Sequence, residues 1–327
     1  MKKKSFIAVS LSLMLLSVHT PFASADGAQT HAWIDKTIAG HERAVISGVL
    51  ENLPENEREN VVYINDKNEV FANKPGLIDD WKKAELIEGR TYAIDGQRVT
   101  APAETIAPAA ASCAKSDGPY RKVESKSGYA WYGGNVYLPS ASKKEMYDEN
   151  KPNGNGDTAH IYTGGVGGGQ EVDAGFFHQS TNDDWAMFIR NNGYVYGPRF
   201  EAGQTMQMKF YVPANDQVAL YVVGKKKGES SPISYTLVKD VKGWTKDGKA
   251  NRIKRNTTIA TTKGTHSGSF MKNVYWNQSY IGLSSSSNSQ WLSAQTEGYC
   301  SVPSGSKDDI SVNFVNAGEE TVSITIK

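Results

Sequence analysis

Downstream of residue 113 the apolar residues come in short runs that alternate with polar positions, not in recurrences every three or four residues. YAWYGGNVYL, VDAGFF, WAMFI, MQMKFYV, VALYVVG, ISYTLV, SFMKNVYW, ISVNFV and TVSITI are each bounded by Gly, Pro, Asn, Asp or Ser. Such runs predict β-strands. Sustained over about 200 residues with no convincing helical period, they predict a mostly β fold, an antiparallel two-sheet sandwich of jelly-roll or concanavalin-like type. No internal period is visible, which disfavours a propeller or solenoid.

Upstream the pattern is mixed. ERAVISGVLENL has the spacing of a short helix, VVYINDKNEVFA reads as strand, turn and strand, and LIDDWKKAELIEG returns to helical spacing with a Gly stop. TYAIDGQRVT closes the region as a hairpin turning at Asp95-Gly96. TAPAETIAPAAAS has no amphipathic period and reads as a linker. The first residues carry Lys2, Lys3 and Lys4, then FIAVSLSLMLLSV, then Ala23 and Ala25, the layout of a secretory signal. The expected organisation is a signal peptide over 1–25, a small acidic α+β domain or propeptide over 26–105, a linker over 106–112 and a sandwich over 113–327. No later run approaches the roughly 18 apolar residues of a membrane span. The mature chain is therefore expected to be secreted, extracellular or cell-wall associated.

Composition agrees with this picture. The 31 glycines, 16 tyrosines and 7 tryptophans suit short strands and tight turns. The net charge of +1 hides an asymmetry: residues 26–112 carry 15 acidic and nine basic side chains, and the remainder of the mature chain is basic. Complementary fields of that kind favour association of the two parts. The only cysteines, Cys113 and Cys300, are expected to bridge in an oxidising compartment, worth roughly 5 kcal/mol in the chain-entropy picture.

Candidate chemistry concentrates in GGGQEVDAGFFHQ. Glu171 and Asp173 stand two apart and face the same way along a strand. The run is similar to the first two thirds of the Glu-x-Asp-x-Glu strand motif of jelly-roll glucanases, whose outer two acids form the retaining pair. Gly175 occupies the third position, so a distant acid such as Asp183, Asp184 or Glu201 would have to complete it. No catalytic residue is assigned, and the pair is read as a ligand-facing strand. Among the aromatics, Trp131, Tyr194 and Tyr196 are the candidate sugar platform, and Trp185 and Trp276 belong to the core. Asn153, Asn155 and Asp157 alternate like the opening of a calcium loop, without the distal Glu, and a solvated Asn/Gly loop is the alternative. No other cofactor is implied. The scattered histidines have no zinc spacing, and TGGVGGGQ lacks the Lys-Ser/Thr of a phosphate loop and reads as flexible loop. Lys239 to Arg255 is a basic patch around Trp244, either a dock for an anionic wall polymer or a solvated charged loop; nucleic acid is not an expected partner.

EVDAGFFHQSTNDDWAMFI, RFEAGQTMQMKFYVPANDQVALYVVG, KRNTTIA and SGSFMKNVYWNQSYIGLS resemble the YrpD-like secreted proteins of Bacillus, a family of unassigned function, over residues 118–300. The resemblance implies export and a β-rich fold and carries over no functional residues. Three functions remain open: a cell-envelope protein binding carbohydrate or another wall polymer, a glycan-active enzyme with an N-terminal prodomain, and a structural or interaction protein without a glycan ligand.

Overall fold

The computed structural model describes residues 33–103, 113, 117–262, 267–303 and 309–327. The expected signal peptide and residues 104–112 lie outside them. The described chain is mostly β, and its two large sheets pack face to face as a sandwich. The larger sheet runs in the order β2 (Val70–Ala72), β1 (Val61–Ile64), β16 (Pro232–Asp240), β15 (Gln217–Lys225), β14 (Gln204–Tyr211), β8 (Trp131–Leu138), β18 (Phe270–Ser284), β22 (Glu319–Thr325) and β21 (Asp309–Asn316). Strands β9 (Met146–Tyr147) and β19 (Ser287–Gln290) also pair with β18. The smaller sheet runs β20 (Thr296–Val302), β7 (Tyr120–Ser125), β17 (Arg252–Ala260), β10 (Thr158–Gly167), β11 (Gln170–Gln179), β12 (Asp184–Arg190), β13 (Tyr194–Glu201) and β3 (Lys82–Lys83).

Alternation dictates which residues meet between the sheets. Met206, Met208 and Phe210 of β14 and Val322 and Ile324 of β22 point inward, toward Val172, Ala174 and Phe176 of β11 and Met187 and Ile189 of β12. Trp185 and Trp276 are fully buried, as expected of core members. Each such side chain contributes roughly 1.5–3 kcal/mol through burial.

Residues 33–103 wrap the sandwich. Helix α1 (Gly40–Glu51) lays Ile46, Val49 and Leu50 on the outer face of the larger sheet, in one cluster with Tyr63, Tyr211, Tyr221 and Val238. Strand β1 then extends that sheet by pairing parallel with β16. A short helix, α2 (Pro75–Ile78), leads to β3, which pairs with β13 at the edge of the smaller sheet. A third sheet, of β4 (Glu85–Glu88), β5 (Thr91–Ile94) and β6 (Gln97–Thr100), lies over the outer face of the smaller sheet and packs Ile94 and Val99 against Phe177, Phe188 and Tyr194. Asp95 and Gly96 both take positive φ at the β5–β6 turn, as the sequence implies.

Three local expectations change. LIDDWKKAELIEG forms one helical turn followed by β3 and β4, because Trp81 and Ala84 are buried at the sandwich edge and pairing there overrides helical spacing. TGGVGGGQ is not a flexible loop: Thr163 to Gly167 belong to β10 and only Gly168 and Gly169 turn. A Cβ at Gly164 or Gly165 would stand 2.0 Å from the Val172 carbonyl oxygen or 1.8 Å from that of Arg252, so close strand approach requires these glycines. The basic patch divides as well: Lys239 lies within β16, Arg252 to Arg255 lie in β17, and Lys239, Trp244, Lys254 and Arg255 are buried.

Between the sheets lies an ion triad. Glu320 of β22 accepts from Arg121 of β7 at 2.7 Å and from Arg255 of β17 at 2.8 Å, and Arg255 also donates to the Ala317 carbonyl. Glu320→Ala leaves two buried guanidinium groups without their carboxylate, a loss of about 3–5 kcal/mol. Denaturant unfolding is expected to show that loss, whereas Lys82→Ala, at an exposed pair with Asp95, costs less than about 1 kcal/mol.

Candidate functional site

Strand β11 alternates sides, so Val172 and Ala174 enter the core while Glu171 and Asp173 face outward from the smaller sheet. Register then builds a row of outward side chains across the strands: Lys254 pairs with Glu124 and Gly164, Gly164 with Asp173, and Asp173 with Arg190. The Lys254 ammonium contacts Glu171 and lies 2.6 Å from Asp173, whose other oxygen is 2.6 Å from Arg190. Lys254 and Arg190 are buried with Asp173, and the Glu171 side chain is 6% exposed. Burial works against the Lys254 charge, but Asp173 and Glu171 outweigh it and hold the amine well above the ordinary lysine range. For Asp173, burial is likewise outweighed by Lys254 and Arg190, which hold the carboxyl below its usual range.

The glucanase-like reading of this strand meets a steric limit. A Cβ at Gly175 would stand 2.5 Å from both the Ile161 carbonyl oxygen and the Tyr162 Cα, so no acid fits the third position. Asp184 pairs with Gln179, six residues along β11, roughly 20 Å from Asp173. It is bound to Lys227 and Arg199, and Glu201 is its register partner. The distant acids therefore do not join Glu171 and Asp173.

The structure also separates the candidate aromatics. Tyr194 is fully buried, its ring stacked on Phe188 at 5.0 Å, and Tyr196 is buried with its hydroxyl donating to Asp95. Both lie beneath the β4–β6 sheet. Trp131 sits on the other sheet, in a cleft of about 230 Å³ with Leu53, Pro54, Tyr211, Pro213 and Lys246. Its indole lies across Gly133, where a Cβ would come within 2.4 Å of the ring. Gly133 pairs with Tyr280, and Asn135 with Asn277. Tyr275, Asn277 and Tyr280 therefore share the outward side of β18 with Asn135 of β8, because Val274, Trp276 and Ile281 face the core. Tyr280 is 43% exposed and Tyr275 37%. Sequence reasoning passed over Tyr275 and Asn135, and their alternation with Val274, Trp276 and Val136 was the available signal.

The Asn/Gly loop is internally satisfied at two of its three positions. Asn155 accepts from the Asp157 N–H at 2.9 Å and Asp157 from the Ser269 hydroxyl at 2.8 Å, while Asn153 is exposed. Among the described residues no group of three His, Cys, Asp or Glu is placed to hold a metal, and no helix is long and apolar enough to cross a membrane. Cys113 and Cys300 form the expected disulfide, against the edge strand β20. His178 was not singled out in sequence, yet it is buried between two carboxylates, with Nδ1 3.1 Å from Asp148 and Nε2 3.2 Å from Asp183.

No family model matches the chain, and no curated protein does. Solved structures similar to it include scytalido-glutamic peptidase with a peptide-based transition state analog, at TM-score 0.43 and 9% identity over 64% of this chain and 98% of that one. The same peptidase with a transition state analog inhibitor gives 0.40 and 8% over the same shares. SCP-B, a member of the Eqolisin family of peptidases in complex with the tripeptide Ala-Ile-His, gives 0.41 and 9%, again over 64% and 98%.

The His178 pair sets a pH dependence. Burial disfavours the imidazolium, but Asp148 and Asp183 outweigh it and raise its pKa to about 9 from 6.5. A raised folded-state pKa gives stability that is complete below the unfolded value and lost as pH rises through the folded one. Unfolding free energy is therefore expected to fall between about pH 6.5 and 9, by on the order of 3 kcal/mol, and His178→Gln flattens that fall in denaturant titrations across the same range.

Proposed function

We propose that the chain is an exported, cell-envelope β-sandwich protein that binds polysaccharide or an anionic wall polymer through the outer face of the larger sheet. One observation carries this reading. Helix α1 covers only the half of that face built by β14, β15, β16 and β1, while Tyr275, Asn277 and Tyr280 stay outward beside Asn135 on the other half. Tyrosine rings offer flat apolar surface with a polar tip, and amides supply both donors and acceptors, the combination that sugar rings and hydroxyls require. Asn135 already donates to Gln278 at 2.8 Å, so the amides are held in place before any ligand arrives. The Trp131 cleft at the margin of α1 adds an indole and the Lys246 ammonium, a pairing suited to a chain that carries anionic groups.

Export is supported by the lysine-rich apolar leader and by the single disulfide. Glu171, Asp173, Tyr194 and Tyr196 take no part in this binding surface, because the acids are committed to Lys254 and the tyrosines to the packing beneath the third sheet.

Retention on insoluble peptidoglycan, teichoic-acid-bearing walls and common polysaccharides tests the reading. The wild-type protein is expected to be retained on at least one of them. Tyr275→Ala and Tyr280→Ala should each weaken retention by about fivefold, equivalent to about 1 kcal/mol per lost ring, while Tyr194→Phe should leave it unchanged. Absence of retention on every polymer, or retention indifferent to both tyrosines, contradicts the proposal.

A further inference from the structure

The outward face of the smaller sheet has two unlike halves. Under the β4–β6 sheet it is aromatic and apolar, with Phe177, Ala186, Phe188, Tyr194 and Tyr196 packed against Ile94 and Val99. Next to it the same face becomes charged and amide-bearing, with Lys122, Glu124, Lys254, Asp173, Arg190 and Asn256 in adjoining register rows. These side chains are buried nonetheless. A face chosen only for packing would continue the apolar pattern, since buried charges are costly unless every one is paired.

Residues 100–103 lie against this charged half, and they are held as a bound peptide is held. The Thr100 N–H donates to Gly156 O at 3.3 Å and to the Thr158 hydroxyl at 3.1 Å. Arg190 of β12 takes the Pro102 carbonyl, its guanidinium clamped from behind by Asp173 at 2.6 Å, while Ala101 exchanges hydrogen bonds with Arg90 in the β4–β5 turn of the third sheet itself. Pro102 and Ala103 then line a small cavity with Lys122, Tyr162, Asn256 and Thr258. Asn256 is 93% buried there; its Nδ2 donates to the Tyr162 hydroxyl at 2.6 Å and its Oδ1 has no partner. Turning the amide over only moves the vacancy to the other atom. Pro102 has no backbone N–H with which to fill it.

We infer that the charged half of this face is a binding cleft for an extended peptide, occupied in this chain by its own residues 100–103. The observations that carry it are the grip of Arg190 on the Pro102 carbonyl, the Thr158 hydroxyl on the Thr100 N–H and the unpartnered buried amide of Asn256 in the cavity beside them. A residue with an N–H in place of Pro102 would offer this cavity a donor that the internal segment lacks, and a buried acceptor left unpaired is a standing cost. The occupant is joined to the sandwich through a stretch of Pro and Ala that ends at Cys113, whose bridge to Cys300 ties the new end of the downstream chain to β20 if that stretch is cut.

The test places a site-specific protease sequence within residues 104–112 of the full mature chain and measures fluorescence anisotropy of a labelled peptide with the sequence of residues 97–105. A second peptide carries Ala in place of Pro102. The cut protein is expected to bind the first peptide at least tenfold more tightly than the uncut protein, and the proline-free peptide more tightly still. Arg190→Ala in the cut protein should weaken binding of both peptides at least fivefold, and Asn256→Ala should weaken binding of the proline-free peptide at least fivefold, while far-UV circular dichroism stays that of the parent. Equal affinity before and after cutting, no binding to either form, or binding indifferent to both substitutions overturns the proposal. Loss of the β spectrum on cutting also overturns it, since the segment would then be part of the fold and not an occupant of a site.

Discussion

The charge on Lys254 constrains much of this structure. An ammonium held away from water on the outer face of a sheet needs carboxylates within contact distance, and Glu171 and Asp173 supply them from the neighbourhood of a single strand. That need fixes the register of β10 between β11 and β17, where Gly164 lies opposite both Asp173 and Lys254 and has no side chain to separate them. It also decides what the acids can do. Carboxylates committed to a buried cation, with no room for a third acid at Gly175, are unsuited to act as nucleophile and proton donor to a sugar.

Burial of that row follows from the course of residues 33–103. They contribute strands to both sheets and cover part of each outer face, with α1 on one side and the β4–β6 sheet and residues 100–103 on the other. Among the described residues, the outer face of β8 and β18 keeps exposed rings and amides. The two proposals divide the molecule accordingly. The uncovered face would meet a polymer, and the covered one would hold an extended peptide that the chain presently provides for itself.

Much of the sandwich was legible in the sequence because its strands carry one apolar side. MQMKFYV and TVSITI declare a period of two, VALYVVG is a continuous apolar run, and each is a strand. RIKRNTTIA did not, since β17 buries Lys254 and Arg255 through ion pairs that no local pattern announces. The glycine run misled for a related reason: Gly164 and Gly165 are demanded by neighbouring strand carbonyls, a tertiary requirement that reads locally as looseness. LIDDWKKAELIEG kept helical spacing, yet edge pairing of Lys82 and Lys83 with β13 took precedence. Of the candidate site, the shared facing of Glu171 and Asp173 and the pairing of the two cysteines were readable from spacing and compartment. The burial of Tyr194 and Tyr196 was not, because what covers them comes from a segment about a hundred residues earlier.

Amide hydrogen exchange of the whole mature protein, with and without a retained wall polymer, tests the division of the two faces most directly. The account predicts that the polymer slows exchange along residues 131–138 and 274–282 and leaves residues 158–190 unchanged. Protection centred on Glu171 and Asp173, with none along β18, would contradict it.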